Sequence, residues 1–169
     1  QCLKKAPPFS RVINYSLYDG VLAEAVNHLK FHGLKRLAKP LGKLLLDFDL
    51  SGMDGVVPVP LSIKRLRERG FNQSLLLARV ISREKKVTLL IDILFKKKET
   101  PPQTGLSGKE RLLNLKNAFV VKGDIRGLRL ILVDDVMTTG ATVTECSKQL
   151  MKAGAKEVTV LTLARASMD

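Results

Sequence analysis

Two runs near the end of the chain constrain its fold more than any other feature: "RLILVDD" at residues 129–135 and "EVTVLTLA" at 157–164. Both are nearly continuous in apolar and β-branched residues, the pattern of strands covered on both faces. Between them, "TGATVTECSKQLMKAGA" has helical periodicity and is closed by Gly154. Strands that alternate with helices predict an α/β fold with a parallel or mostly parallel central sheet flanked by helices.

The alternation extends upstream. Tyr18, Leu22, Ala25 and Leu29 mark one helix face, and Leu34, Leu37, Leu41, Leu44 and Leu45 a second. "DGVVPVP" (54–60) reads as a short buried strand, ended by Pro58 and Pro60, which lack the backbone N–H that a ladder needs. "NQSLLLARVISREKK" (72–86) predicts an amphipathic helix, "VTLLIDILF" (87–95) a β-rich run and "AFVV" (118–121) a strand. Residues 96–108, "KKKETPPQTGLSG", read as a loop. Ser107 with Glu110 matches a capping box that starts a short helix through Leu113. The 169 residues are expected to form one domain with a full hydrophobic core.

Charge is the unusual part of the composition. Lys plus Arg number 29 against 16 acids, a net charge of +13, and such a surface attracts polyanions. Two cysteines, Cys2 and Cys146, do not make a disulfide framework and suit a reducing compartment. His28 and His32 share a helix face without further ligands at matching spacing and read as a surface pair. Residues 1–17 lack the apolar core of a secretory signal, and no apolar run reaches transmembrane length. A cytoplasmic protein without membrane insertion is the expectation.

The chemistry is concentrated in "LILVDDVMTTGATV" (130–143). A buried strand ends on Asp134 and Asp135, whose like charges need solvent, a cation or hydroxyl donors nearby. A nucleotide-hydrolase strand of this type needs a phosphate loop elsewhere, and "GLSGKE" (105–110) has the wrong spacing for one. No Gly-x-Gly-x-x-Gly follows a strand, which removes a dinucleotide site. Thr142 with Glu145 matches a capping box, but that leaves the acids and Thr138-Thr139-Gly140 unexplained. A sugar phosphate explains them together. Backbone N–H groups of a glycine-containing turn at a helix N-terminus hold the phosphate, and the two carboxylates accept from vicinal hydroxyls.

"LILVDDVMTTGAT" resembles the phosphoribosyl pyrophosphate signature of type I phosphoribosyltransferases. The resemblance extends to the ComF family of competence proteins, which includes the GntX kind. It is carried by "VPVPLS" (57–62), "RGFNQ" (69–73), Gln103, Leu106, Ser107, Arg111, Asn114 and "NAF" (117–119). It implies that Asp134 and Asp135 are catalytic, holding the ribose hydroxyls. Val136, Met137, Thr138, Thr139, Gly140, Ala141 and Thr142 would cradle the 5′-phosphate. Pro60, Leu61, Ser62 and Lys64 would form the pyrophosphate loop. Residues 97–112, with Lys97, Lys98, Gln103 and Arg111, correspond to a mobile loop. No side chain is expected to bind metal directly, since Mg²⁺ would arrive on the ligand. Relatives begin with a four-cysteine zinc module, of which residues 1–14, with Cys2, are read as a remnant without zinc. The function implied is transfer of a phosphoribosyl group to an unidentified acceptor in a DNA-uptake context. The alternative is a non-catalytic competence protein that handles single-stranded DNA, with Arg65, Arg67, Arg69, Arg79, Arg83, Lys85 and Lys86 as phosphate contacts. The implied partners are phosphoribosyl pyrophosphate, single-stranded DNA, a competence helicase and a second copy of the chain as a homodimer.

Overall fold

A computed structural model describes residues 6–97 and 114–167. In chain order its elements are β1 (Arg11–Leu17), α1 (Gly20–Phe31), α2 (Ala38–Leu44), β2 (Gly55–Pro58), α3 (Ile63–Arg69), α4 (Gln73–Lys85), β3 (Thr88–Leu89), β4 (Leu94–Lys96), β5 (Phe119–Val121), β6 (Arg129–Met137), α5 (Ala141–Lys152) and β7 (Glu157–Arg165). Single 3₁₀ turns at Lys35–Leu37 and Leu45–Asp47 flank α2, so the leucine-rich second helix is shorter than its pattern suggests.

The main sheet has the order β1-β7-β6-β2-β3, and all its neighbouring strands are parallel. The apolar runs 129–135 and 157–164 form its interior strands β6 and β7. On one face, Leu130, Leu132, Val158 and Val160 pack with Val143, Cys146 and Leu150 of α5. On the other, Ile131, Val133, Leu161 and Leu163 pack with Leu29, Leu41, Leu77 and Ile81 of α1, α2 and α4. Side chains alternate between faces along a strand, so covering both faces requires apolar residues without interruption. Each large side chain so buried contributes roughly 1.5–3 kcal/mol relative to exposure. Gly42 lets α2 approach α4 closely: a Cβ there would lie 2.7 Å from Val80 Cβ.

The elements differ locally from what periodicity suggests. The β-rich run 87–95 is not one strand. Its start is edge strand β3, and its end enters β4, which pairs antiparallel with β5 outside the main sheet. The change of direction places Leu94 and Phe119 over the α5 face. Residues 11–14, at the end of the segment read as a zinc-module remnant, lie in β1 and pair with β7. Neither β1 nor α3 is anticipated by periodicity: β1 is half-exposed with a mixed pattern, and α3 buries no residue fully.

From β2 the chain steps outward to β3, whereas from β6 it steps the opposite way to β7. The carboxyl ends of β2 and β6, which are neighbours with Pro58 opposite Val133, therefore flank a topological switch point. Open parallel sheets bind ligands in the crevice at such a point.

Candidate functional site

A cleft of about 730 Å³ opens at that point, with Asp134 and Asp135 among its lining residues. The two carboxylates differ. Asp134 Oδ1 accepts from Ser74 Oγ at 2.8 Å and from the Asp135 backbone N–H at 3.0 Å. Burial, and then the neighbouring Asp135 charge, raise the Asp134 carboxyl to about 7. Asp135 is ion-paired through Oδ2 with Lys30 of α1, and its Oδ1 accepts from Gln73 Nε2 at 3.4 Å. Its like-charge neighbour is thus offset by a cation from a distant helix. Neither Lys30 nor Ser74 is singled out by the sequence, because nothing local marks a lysine on an amphipathic helix or a serine in a first turn. Gln73 is different: it belongs to the "RGFNQ" run that carries part of the resemblance.

The turn after β6 starts a helix at a positive-φ residue. Gly140, at φ +74°, is the N-cap of α5. The left-handed region costs a residue with a Cβ about 1–2 kcal/mol, which explains the glycine. Thr139 Oγ1 accepts weakly from the Ala141 N–H at 3.5 Å. The capping box read from Thr142 and Glu145 does not form. α5 begins at Ala141, and no side chain caps it. Glu145 turns inward, accepting from the Asn117 N–H at 3.0 Å and from Gln149 Nε2 at 2.7 Å. That frees Thr142, whose side chain lines the cleft with Val136 and Thr138. Met137 and Ala141 face the core, so from them only the backbone is available. Thr139 and Gly140 are at the surface of the same turn.

The second rim follows β2. Pro60, Leu61 and Ser62 line the cleft, and Ser62 Oγ accepts from the Arg65 N–H at 3.4 Å to start α3. Asn72 caps α4, accepting from the Ser74 and Leu75 N–H groups at 2.9 and 3.3 Å. Its Nδ2 donates to the Val59 carbonyl at 3.0 Å, tying this rim to the helix that carries Gln73 and Ser74. Lys64 is exposed on α3 and does not line the cleft; Arg65 and Arg69, from the proposed nucleic-acid set, do. Arg67, Arg79, Arg83, Lys85 and Lys86 are exposed, the last four on or just after α4. Lys97 borders a separate groove of about 400 Å³. Lys98, Gln103, Arg111, the Ser107–Glu110 box and residues 98–112 of the expected mobile loop lie outside the described residues, as does Cys2.

Among the described residues no three His, Cys, Asp or Glu side chains converge as a metal cage. The His28 and His32 rings lie 4.8 Å apart on the surface. Asp135, the acid nearest the turn, is already paired to Lys30.

Comparison with known proteins identifies the family. The family model described as phosphoribosyl transferase domain matches residues 57–168. DNA utilization protein YhgH of Salmonella typhi is 37% identical over 98% of this chain and 76% of its own length. Competence protein F of Haemophilus influenzae is 37% identical over 98% and 77%. The chain belongs to the ComF-type phosphoribosyltransferase family. Its ComF-type fold is also that of glutamine phosphoribosylpyrophosphate amidotransferase from B. subtilis, with a TM-score of 0.53 and 24% identity. That match covers 74% of this chain, which spans 25% of the solved structure. No helix among the described residues of the ComF-type chain is long and apolar enough to cross a membrane.

Proposed function

We propose that this protein binds Mg²⁺-phosphoribosyl pyrophosphate in the switch-point cleft and transfers its phosphoribosyl group to an acceptor. The observation that carries the reading is the convergence of the acid pair and the Gly140-started helix on one cleft. Asp134 and Asp135 accept from the ribose hydroxyls, replacing the donors they have without ligand. The 138–142 turn directs backbone N–H groups at the 5′-phosphate, with Thr138 and Thr142 hydroxyls beside them. The 60–62 turn takes the pyrophosphate, with Arg65 of α3, which lines the cleft, in place of Lys64. Mg²⁺, when bound, neutralises charge on the leaving pyrophosphate. In the transfer, the bond from C1 to the pyrophosphate oxygen breaks and its electron pair leaves with that oxygen. A lone pair of the acceptor forms the new bond to C1, and the acceptor's proton passes to solvent.

Calorimetry with Mg²⁺ and phosphoribosyl pyrophosphate tests the binding step. Replacing both Asp134 and Asp135 by Asn keeps shape while removing charge-assisted bonds of about 1.5–3 kcal/mol each. Unchanged affinity in the double variant would sink the assignment.

The names of the relatives, together with the +13 charge, favour a second reading in which single-stranded DNA is bound. Such binding would fall with salt. Neutralising about five phosphates gives a log–log slope near −3.5. Reversing the charges of Arg79, Arg83, Lys85 and Lys86 would weaken DNA and spare the small ligand. Anisotropy of labelled oligonucleotide that stays flat at low salt excludes this reading.

A further inference from the structure

We propose that the wall of the cleft made by the ends of α1 and α3 is the acceptor subsite, built for a planar ring carrying one anionic group on its edge. This inference rests on the reading that phosphoribosyl pyrophosphate occupies the acid pair and the two turns, because that placement leaves this wall to the acceptor. Phe31, the last residue of α1, lines the cleft yet is 69% exposed. An aromatic side chain so placed offers an open edge to a second ring, and covering it recovers apolar burial. The Arg69 guanidinium lies over one face of the ring, 5.5 Å from its centroid.

Arg69 gives the chemical class. It is the last residue of α3 and half-buried, and Nη1 donates to Gln73 Oε1 at 2.6 Å. Its other guanidinium N–H groups have no hydrogen-bond partner among the described residues. A partly desolvated guanidinium with unused donors on a cleft suits a carboxylate or an ionised ring oxygen, which can take two N–H groups side by side. Burial lowers the guanidinium's own pKa, and the nearby Asp135 charge works in the opposite direction. A bound anion would offset the same desolvation. Glu68 lines the same cleft, and Lys30 is engaged by Asp135, so the wall suits one negative charge rather than a polyanion.

The hydrogen-bond chain sets the location. Gln73 accepts from Arg69 and donates to Asp135, so one side chain separates the anion site from the acid that takes a ribose hydroxyl. A ring packed edge-on against Phe31, with its anionic group at Arg69, therefore lies beside the sugar. Its nucleophilic atom can face C1.

The test uses 2-aminobenzoate as a fluorescent aromatic acid, its neutral amide 2-aminobenzamide, and adenine, each titrated with and without saturating Mg²⁺-phosphoribosyl pyrophosphate. The acid is expected to bind at least tenfold more tightly than the amide and than adenine. Phe31→Ala and Arg69→Gln are each expected to weaken the acid about tenfold, while calorimetric affinity for Mg²⁺-phosphoribosyl pyrophosphate stays within twofold. Circular dichroism melting confirms that both variants fold, and Arg69→Lys, which keeps charge but not the fork, is expected to recover only part of the loss. Equal affinity for acid and amide, tighter binding of adenine, or an unchanged Arg69→Gln variant overturns the subsite. Intact pyrophosphate-ligand binding without any binding of the acid refutes the subsite alone. Binding of the acid by a protein that shows no calorimetric binding of Mg²⁺-phosphoribosyl pyrophosphate refutes the preceding functional reading and leaves the wall as an aromatic-acid site.

Discussion

The rim after β6 and the wall facing it meet in one cleft but are assembled differently. The rim is a single run, Asp134 to Thr142, in which strand, turn and helix start follow one another. The wall draws Lys30 and Phe31 from α1, Arg69 from α3 and Gln73 from α4. A contiguous rim is shaped by backbone conformation and depends little on distant packing. The facing wall exists only while α1, α3 and α4 hold their places over the sheet. The floor between them belongs to both, since Asp135 comes from the run and its counter-ion from the wall.

The largest expected effect separates these two modes. Lys30→Met leaves Asp135 buried without its cation, and breaking a buried pair costs about 3–5 kcal/mol. The partial exposure of Lys30 puts the expected value at the lower end. Urea unfolding should show a lowered midpoint, and adding Asp135→Asn should restore most of it. A single variant as stable as the parent would mean that this pair does not join the two sides.

Asp134 gives a pH signature at the shared floor. Its carboxyl is raised from 3.8 to about 7, so between those values the native state binds a proton that the unfolded chain has released. Stability from this group is full below about pH 4, declines as pH rises, and is gone above about pH 7. The slope is at most about 1.4 kcal/mol per pH unit. Denaturation across this range should show the decline in the parent and not in Asp134→Asn; parallel curves would contradict the raised carboxyl.

Gly140→Ala perturbs the rim alone. With φ at +74°, it should cost about 1–2 kcal/mol in thermal or chemical unfolding and weaken Mg²⁺-phosphoribosyl pyrophosphate. Binding of 2-aminobenzoate in the absence of that ligand should be unchanged. A matching loss in both ligands would show that rim and wall are coupled more tightly than their construction suggests.

Asn72→Ala is the mildest break. It removes the α4 cap and the bond to the Val59 carbonyl, at a cost of about 1 kcal/mol. Hydrogen exchange should increase first at Ser74 and Leu75, at the base of the wall. Faster exchange confined to the β6 turn would point to the wrong side.

Reading ahead from sequence worked where the relevant neighbours are close in the chain. The β6–α5–β7 unit and the acid-bearing turn are legible because periodicity and glycine punctuation act over a few residues. The Thr142–Glu145 box fails for an equally definite reason. Its pattern is local, but Glu145 finds a better-placed donor in the Asn117 N–H, and Gly140 can start the helix without a side-chain cap. The run 87–95 was divided by the separate pairing of β4 with β5, which no strand propensity encodes.

The sequence by itself determined the parallel α/β order, the carboxylates that end β6 and the turn that follows them, because each depends on residues within a few positions. Only the tertiary structure decided that Lys30 meets Asp135, that Ser74 donates to Asp134, and that Arg69 and Phe31 rather than Lys64 border the cleft. Those contacts are set by how α1, α3 and α4 pack across the ends of β2 and β6. Packing joins positions far apart in the chain, so no local pattern announces them.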